Sequence, residues 1–322
     1  MTKEINLLFA STSDYLPLIV VNAISIFKNL SCDYKINLHY LYADIVKEIS
    51  DEKRTNIFET ANETFKKFNI NFVPYDIKEL IPMLKGQNIG MWGEAISFTH
   101  YMYLLAPLVL KDVEKVIFLD ADMIVNCDLS EVYNIELGEK LLAMGAPRGK
   151  EEMGDDVSNS GFIVLNLAQW KKENILEKLL EFGKQLPKSR FCDQNLLHQY
   201  FTLNNADRLL LLDKLYNIFP QLFYEIDLSE IKILHYTGWN CTAPWKDSNL
   251  EQRASFMWWK YAKETAFYEY FLLNAAMHNA LKKKQKDSFI ERIFSIKNSK
   301  DKTHKILTVL GMKFKIRRKK HG

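Results

Sequence analysis

Two aspartates lie inside an otherwise apolar stretch of this 322-residue chain. Residues 116–125 read V-I-F-L-D-A-D-M-I-V, with Asp120 and Asp122 separated by Ala121. A β-branched and aromatic run of this length is typical of a buried parallel strand. Buried carboxylates are unfavourable unless a positive group meets them. Because positions i and i+2 of a strand face the same way, the two aspartates could bind one Mg²⁺ or Mn²⁺ ion.

Each candidate residue also has an ordinary structural interpretation. The aspartate pair could end a strand and face water, or pair with Lys111 or Lys115. His235 ends a predicted strand, where a histidine is commonly a hydrogen-bonded core residue. Asp193 and Gln194 open a predicted helix and could simply cap it. The rest of the sequence has to decide between these interpretations.

Alternating strand and helix patterns predict the fold class that positions these residues. Apolar runs predict strands at residues 5–10, 36–42, 70–75, 116–125, 141–146, 162–167 and 231–235. Helical spacing predicts helices at residues 18–30, 50–68, 98–110, 171–186 and 191–198. This alternation is typical of an α/β domain with a mostly parallel sheet, which binds ligands at the carboxyl ends of its strands. Glycine-rich dinucleotide and P-loop motifs are absent from the sequence, which argues against those ligand classes.

The bulk composition excludes further classes. Hydrophobic content of 48% and charged content of 26% are those of a globular protein. We expect no membrane-spanning helix and no signal peptide, because no uncharged apolar run approaches ~18 residues and the first residues lack a basic and apolar leader. Four widely separated cysteines fit a reducing cytosol better than a disulfide scaffold or a zinc site.

The net charge of +3 conceals a basic C-terminal tail at residues 282–322. This tail has 15 Lys and Arg residues and three acidic ones, whereas residues 1–281 have 28 basic and 37 acidic residues. Its apolar residues recur at roughly helical spacing, which predicts basic amphipathic helices that bind an anionic membrane surface. The alternative is a solvated, disordered tail. Nucleic-acid binding is disfavoured, because the body is acidic and no known module surrounds the tail.

Six segments in order carry a resemblance to a known family. They are L-L-F-A (7–10), F-L-D-A-D (118–122), N-S-G-F-I-V-L-N-L-A-Q-W (159–170), C-D-Q-N (192–195), Y-N-I-F-P (216–220) and L-H-Y-T-G-W-N-C-T-A-P-W (234–245). Over roughly residues 5–260 the chain resembles glycosyltransferase family 8, which includes bacterial lipopolysaccharide galactosyl- and glucosyltransferases and glycogenin. The resemblance implies a GT-A type α/β domain, placed at residues 1–281. It also implies retaining transfer of a hexose from a nucleotide-sugar, usually UDP-linked.

The same resemblance implies roles for individual residues. Asp120, Asp122 and His235 match the family's Mn²⁺ ligands, a set that could also take Mg²⁺. Asp193 and Gln194 match a catalytic pair beside the transferred sugar, where the acid would hold hydroxyls and the amide would serve the anomeric centre. The expected donor-binding residues are Ala10, Ser11, Thr12, Asp14, Tyr15, Tyr103, Asp120, Ala121, Asn159, Asp193 and Gly238.

The chain departs from the family pattern at three positions. Thr12 stands where many members have an acid that contacts uracil. Tyr103 and Ala243 stand where an arginine and a lysine are usual, although Lys246 could replace the lysine. Loss of two cations would leave the metal as the main counter-charge of the donor's diphosphate. The donor pocket is therefore expected to be altered or weakened.

The sequence thus predicts a Mn²⁺-dependent galactosyl- or glucosyltransferase that uses a UDP-sugar. Its expected acceptor is a lipopolysaccharide or lipooligosaccharide glycan, reached from the inner face of the cytoplasmic membrane. Two alternatives remain at this point. One is a non-catalytic or altered-donor protein of the same fold that binds a sugar or a nucleotide. The other is a hexosyltransferase acting on a protein glycan.

Overall fold

A computed structural model describes residues 3–87, 93–146, 157–187, 189, 191–219, 226–227, 229–237, 243–246, 253–298, 304–309 and 312–317. Residue 253 and those from 282 onward are described by their backbone alone. Contacts divide the chain into two units. The first comprises Met1–Cys241 and Leu250–Tyr268, and the second comprises Thr242–Asn249 and Glu269–Gly322.

The first unit is built on a seven-stranded sheet in the order β3-β2-β1-β4-β7-β6-β8. Its strands are β1 (Lys3–Ser11), β2 (Tyr34–Tyr42), β3 (Asn71–Asp76), β4 (Val116–Leu119), β6 (Leu142–Gly145), β7 (Phe162–Leu165) and β8 (Leu209–Leu212). β7 runs antiparallel to β4 and β6, and the other pairs are parallel. Two further strands, β5 (Met123–Val125) and β9 (Ile233–His235), form a separate antiparallel pair. The predicted α/β class with a mostly parallel sheet is confirmed.

Helices flank this sheet. They are α1 (Leu16–Asn29), α2 (Asp51–Lys67), α3 (Glu94–Thr99), α4 (Ala106–Val109), α5 (Leu129–Tyr133), α6 (Leu167–Lys172), α7 (Ile175–Gln185), α8 (Cys192–Leu197) and α9 (Arg253–Ala262). A further helix, α10 (Tyr268–Ile293), begins at the last residue of the first unit and otherwise belongs to the second. Local sequence explains several ends. Pro17 lies in the first turn of α1, where its missing N–H costs nothing. The Ser50 side chain accepts a hydrogen bond from the Lys53 amide and caps α2.

The core lies on both faces of the sheet, as a mostly parallel arrangement requires. All four residues of β4 are buried, and so are eleven consecutive residues of α1 from Leu16 to Ile26. Burying this much apolar surface fixes β1 and β4 side by side at the centre of the sheet. The chain leaving β4 therefore begins from a rigid position.

Three predicted elements are interrupted in the structure. The strand expected at 116–125 is two strands, β4 and β5, which belong to different sheets. The helix expected at 98–110 is a series of short turns. Pro107 lies in the first turn of α4 and could not continue a preceding helix. The helix expected at 171–186 divides at Asn174, which adopts a left-handed conformation with φ 55°.

The second unit contains most of α10 and a three-stranded antiparallel sheet, β10 (Phe294–Asn298), β11 (His304–Val309) and β12 (Met312–Arg317). The prediction of a helical basic tail is wrong for residues 294–298, 304–309 and 312–317, which form strands. The sequence of β12, M-K-F-K-I-R, alternates apolar and cationic residues with the period of a strand. Within the described ranges, no helix has both the length and the apolar character needed to span a bilayer.

Candidate metal centre and donor pocket

Asp120, Asp122 and His235 lie together in the first unit. The Nε2 atom of His235 is 3.4 Å from Oδ2 of Asp120 and 3.1 Å from Oδ1 of Asp122. Potential ligand atoms of all three residues lie within 4.8 Å of one another. In the described part of the chain, this is the one group of three or more such side chains with metal-binding spacing.

The backbone around the two aspartates explains how they meet the histidine. Asp120 and Asp122 lie in the turn between β4 and β5 and not inside a continuous strand. β5 pairs with β9 so that Met123 lies opposite His235, and the Tyr236 amide donates to the Asp122 carbonyl at 2.8 Å. This pairing brings two segments separated by 113 residues into one site. The spacing of the aspartates alone could not have predicted it.

Hydrogen bonds behind His235 determine which of its nitrogens is available. Its Nδ1 lies 3.0 Å from Oδ1 of Asn217, whose Nδ2 donates to Oδ1 of Asn159 at 2.7 Å. Since the Asn217 oxygen can only accept, Nδ1 of His235 must carry the proton. Neutral His235 then turns the lone pair of Nε2 toward the two carboxylates. Such an outer partner is what fixes the orientation of a metal-binding histidine.

The arrangement of these acceptors fits a divalent cation. Two carboxylate oxygens and one imidazole lone pair converge, which is unfavourable unless a cation or a proton lies between them. Desolvation in the pocket raises the pKa of Asp120 to about 6, opposed by His235 and reinforced by Asp122 and Asp193. Oxygen and nitrogen ligands of this kind suit Mn²⁺, and the oxygens suit Mg²⁺. The residues present therefore fit the predicted ion class.

Gly161 is required by the geometry of this centre. A Cβ atom at this position would lie 2.5 Å from Cε1 of His235 and 2.8 Å from Oδ2 of Asp120. Its backbone also accepts a hydrogen bond from the Asp120 amide at 2.8 Å. The glycine thus lets β7 approach both ligands closely. This glycine is visible in the N-S-G segment, but its role was not predicted from the sequence.

Asp193 lies at the start of α8, buried beside the metal centre. Its carboxylate accepts hydrogen bonds from the Tyr103 hydroxyl, at 3.1 Å, and from Ser160. Burial raises the pKa of Asp193 to about 7, although these hydrogen bonds oppose the change. The preceding Cys192 has a left-handed φ of 42°, an uncommon conformation for a residue with a side chain. Such outliers concentrate at functional sites.

Tyr103 occupies a different place from the one its predicted role suggests. It is only 1% exposed, stacks on Phe118 with ring centroids 4.2 Å apart, and lies behind Asp193. It does not line the pocket described next. Its phenol orients Asp193 from within the core and adds no positive charge. Direct contact of Tyr103 with a donor stays a prediction without geometric support.

A pocket of about 480 Å³ lies at the carboxyl ends of β1, β2 and β4, and we call it the carboxyl-end pocket. Of the residues predicted from sequence, it brings together Ala10, Ser11, Thr12, Asp14, Tyr15, Asp120, Ala121, Asp122, Asn159, Asp193, Gln194 and His235. Their individual roles remain predictions. Gly238 lies outside the described residues.

Sequence reasoning missed the other residues that line the carboxyl-end pocket. They are Val46, Lys47, Ile96, Thr99, His100, Phe118, Ser160 and Thr237. Val46, Ile96 and the predicted Tyr15 keep 43%, 39% and 49% of their surface exposed, which is unusual for large apolar side chains. Together they give the pocket an apolar wall. Phe118, Ser160 and Thr237 lie in segments that carry the family resemblance, whereas no local sequence signal marked the other five, which only the fold brings to the pocket.

Pairing with Lys115 does not account for the two aspartates. The Lys115 ammonium donates to the carbonyls of Tyr133 and Ile135, at 3.0 and 2.8 Å, and so is engaged away from the aspartates. A second cavity of about 670 Å³ lies at the opposite, amino ends of the strands. That cavity is lined by no member of the metal-binding group. The carboxyl-end pocket is therefore the candidate functional site.

Comparison with known proteins gives the family. The profile of glycosyl transferase family 8 matches residues 6–249. The chain belongs to glycosyl transferase family 8. This match covers every described residue of the carboxyl-end pocket. The resemblance found in the sequence is thereby confirmed.

Family 8 relatives include glycosyltransferase GlyA of Streptococcus pneumoniae and the lipopolysaccharide glucosyltransferase WaaO of Escherichia coli. GlyA is 28% identical over 209 residues, covering 62% of this chain and 29% of GlyA. WaaO is 24% identical over 231 residues, covering 63% of each protein. The matched region is thus less than two thirds of the length of either relative.

Solved structures of family 8 glycosyltransferases share the GT-A fold of this chain. Galactosyltransferase LgtC, solved with donor and acceptor sugar analogues, aligns with a TM-score of 0.59 and 20% identity. The alignment covers 81% of this chain and 96% of LgtC. At this identity the likeness concerns the fold. The GT-A prediction for the first unit is confirmed.

Proposed function

We propose that this family 8 glycosyltransferase transfers a hexose from a UDP-sugar, with retention of configuration and with the help of Mn²⁺. The observation that carries the proposal is the convergence of Asp120, Asp122 and His235 beside Asp193 and Gln194 in one pocket. A divalent-cation set next to the buried carboxylate of Asp193, which could hold sugar hydroxyls, suits a nucleotide-sugar. The family supports a hexose donor, and the name of WaaO supports glucose as one candidate.

The proposed metal ligands and the residues behind them have different roles. Asp120, Asp122 and His235 would hold the ion, which when bound would offset negative charge on the diphosphate leaving group. Asn217 and Asn159 keep His235 in the tautomer that presents Nε2. These positions are set before any ligand binds, which is how a site avoids reorganisation during reaction.

The sugar end of the pocket depends on the other acidic group. Asp193, oriented by Tyr103 and Ser160, would accept hydrogen bonds from sugar hydroxyls. Gln194 follows it on α8 and lines the same pocket, and its amide would face the anomeric centre. At the other end, Thr12 donates to Asp14 at 2.6 Å, which leaves the second Asp14 oxygen for the nucleotide.

A thermal-shift panel of nucleotide-sugars tests the donor proposal. A ligand that binds the native state stabilises it, by about 2.7 kcal/mol when the ligand concentration is a hundred times its Kd. This stabilisation raises the melting temperature. We expect UDP-glucose or UDP-galactose to raise the melting temperature only when Mn²⁺ is present, and ADP-glucose to leave it unchanged. Absence of a shift with every nucleotide-sugar would contradict the proposal.

Release of UDP separates an enzyme from a binding protein. Slow Mn²⁺-dependent hydrolysis of the donor, measured without acceptor, supports a transferase. A thermal shift without any UDP release would instead favour the non-catalytic alternative. We propose that the acceptor is a lipopolysaccharide-type glycan, a choice supported by the name of WaaO. Transfer to a protein glycan would appear as product on a protein acceptor in the same assay.

We further propose that the basic second unit places the enzyme on the inner face of the cytoplasmic membrane. Residues 282–322 carry 15 Lys and Arg residues against three acids. Each lysine or arginine near an anionic bilayer contributes about 1 kcal/mol of attraction. Lys313, Lys315 and Arg317 fall at alternate positions of β12, and alternate positions of a strand share one face.

Vesicle binding of charge-neutralised variants tests the membrane proposal. Changing Lys313, Lys315 and Arg317 together to Gln should weaken binding to phosphatidylglycerol vesicles at least about tenfold. The matched control neutralises the exposed Lys53, Lys66 and Lys78 of the first unit and should bind as the unaltered protein does. Equal vesicle binding by both triple variants would disprove the role of the second unit. Donor hydrolysis should be unchanged in each.

A further inference from the structure

Lys47 stands out among the residues that sequence reasoning missed. It lies on the segment between β2 and α2 and lines the carboxyl-end pocket with Val46. The side chain is exposed, and its ammonium has no hydrogen-bond or ion-pair partner among the described residues. A charged group at the rim of a pocket, without a protein partner, is available to a ligand.

The carboxyl-end pocket has an excess of acidic side chains, so a cation in it would favour the binding of an anionic ligand. Four carboxylates line it, from Asp14, Asp120, Asp122 and Asp193, whereas Lys47 is the one lining residue in the described chain with a fixed positive charge. A nucleoside diphosphate adds at least two more negative charges, and one divalent ion offsets two. The remaining repulsion opposes donor binding unless a further cation approaches it.

The segment that carries Lys47 is held against the pocket. Oδ1 of Asp44 accepts a hydrogen bond from the Ser13 amide at 2.7 Å, and its Oδ2 accepts from the Ser13 hydroxyl at 2.9 Å. Arg54 of α2 donates to the same carboxylate at 3.0 Å. Ser13 belongs to the turn that presents Asp14 and Tyr15 to the pocket. Asp44 therefore fixes the base of the Lys47 segment to the nucleotide end of the site.

We propose that Lys47 binds the diphosphate of the nucleotide donor and supplies a fixed positive charge that no other described residue lining this pocket carries. Asp44 is the positioning residue that holds the Lys47 segment. The inference rests on the proposed function, because it requires a nucleoside-diphosphate ligand. It also explains how the donor site functions with Tyr103 turned into the core.

Calorimetric titration with three ligands of increasing charge tests the proposal. The full-length protein is titrated with uridine, UMP and UDP in the presence of Mn²⁺, as are the variants Lys47→Ala and Lys47→Arg. Lys66→Ala, which removes an exposed lysine of α2 that does not line the pocket, is the matched control. We expect Lys47→Ala to weaken UDP binding about tenfold, because a charge-assisted contact is lost. Uridine affinity should stay unchanged, and Lys47→Arg should restore UDP binding.

The possible results separate this inference from the proposed function. If the unaltered protein binds UDP and Lys47→Ala binds it equally well, the role of Lys47 is wrong and the donor proposal stands. Equal loss of uridine and UDP in Lys47→Ala also overturns the inference, because the residue would then support the nucleoside end. If the unaltered protein binds none of the three ligands, the proposed function fails and the inference fails with it.

Discussion

Replacing Asp122 with asparagine is expected to abolish Mn²⁺-dependent binding of the donor while leaving the fold intact. The amide keeps the size of the carboxylate but removes its negative charge. Changes to the partners of a metal ligand already lower metal affinity about 10- to 100-fold, so loss of a ligand should reduce it at least about a hundredfold. Mn²⁺ affinity and UDP release are the measurements.

The metal-free protein offers an independent check on the same variant. Asp122 lies 3.1 Å from His235 and close to Asp120, so its charge adds to the effect of burial in raising the pKa of Asp120. Removing that charge should leave the metal-free melting temperature unchanged or higher. Asp207→Asn, an exposed acid outside the pocket lining, should alter neither property. Full turnover by Asp122→Asn would refute the metal site.

Adding a single methyl group at Gly161 should disable the same centre although none of its three proposed metal-binding residues is substituted. The new Cβ would lie 2.5 Å from Cε1 and 2.8 Å from Nδ1 of His235, and 2.8 Å from Oδ2 of Asp120. Atoms this close must separate, so the histidine or the aspartate leaves its position. We expect Gly161→Ala to weaken Mn²⁺ binding at least about tenfold, since a misplaced ligand costs as much as a lost outer partner.

Gly145 provides the matched control for Gly161. A Cβ at Gly145 would meet Cβ of Asn217 at 3.7 Å, an ordinary van der Waals distance. Gly145→Ala should therefore retain Mn²⁺ binding and donor hydrolysis. Melting temperatures of both metal-free variants show whether a change in binding reflects the site or the fold. Undiminished Mn²⁺ binding by folded Gly161→Ala would show that the protein can accommodate the methyl group without displacing His235 or Asp120, and would contradict this prediction.

The fold class was predictable because strand and helix patterns are local. The periods of β1, β2 and α2 are visible in their own residues, and each element begins or ends within a few residues of its expected position. Interrupted elements were not predictable to the same degree. The apolar run at 116–125 gives no sign that it changes sheets, since an apolar run reads alike in either sheet.

The basic tail shows how two periods compete in one sequence. Phe289, Ile293 and Ile296 recur at helical intervals, whereas residues 312–317 alternate strictly. The structure follows the helical pattern to Ile293 and the strand pattern afterwards. The helical prediction for the tail therefore followed the wrong period. The excess of basic residues, on which the membrane proposal depends, is the same in either conformation.

The sequence by itself determined the family and the residue types available to the site: two aspartates, a histidine and an acid-glutamine pair. Tertiary structure decided how they act together. Pairing of β5 with β9 set His235 against Asp122, Gly161 made room for it, and Tyr103 turned inward to Asp193. Residue types can be read directly from the sequence, but the distances between segments far apart in sequence are set only when the whole core packs.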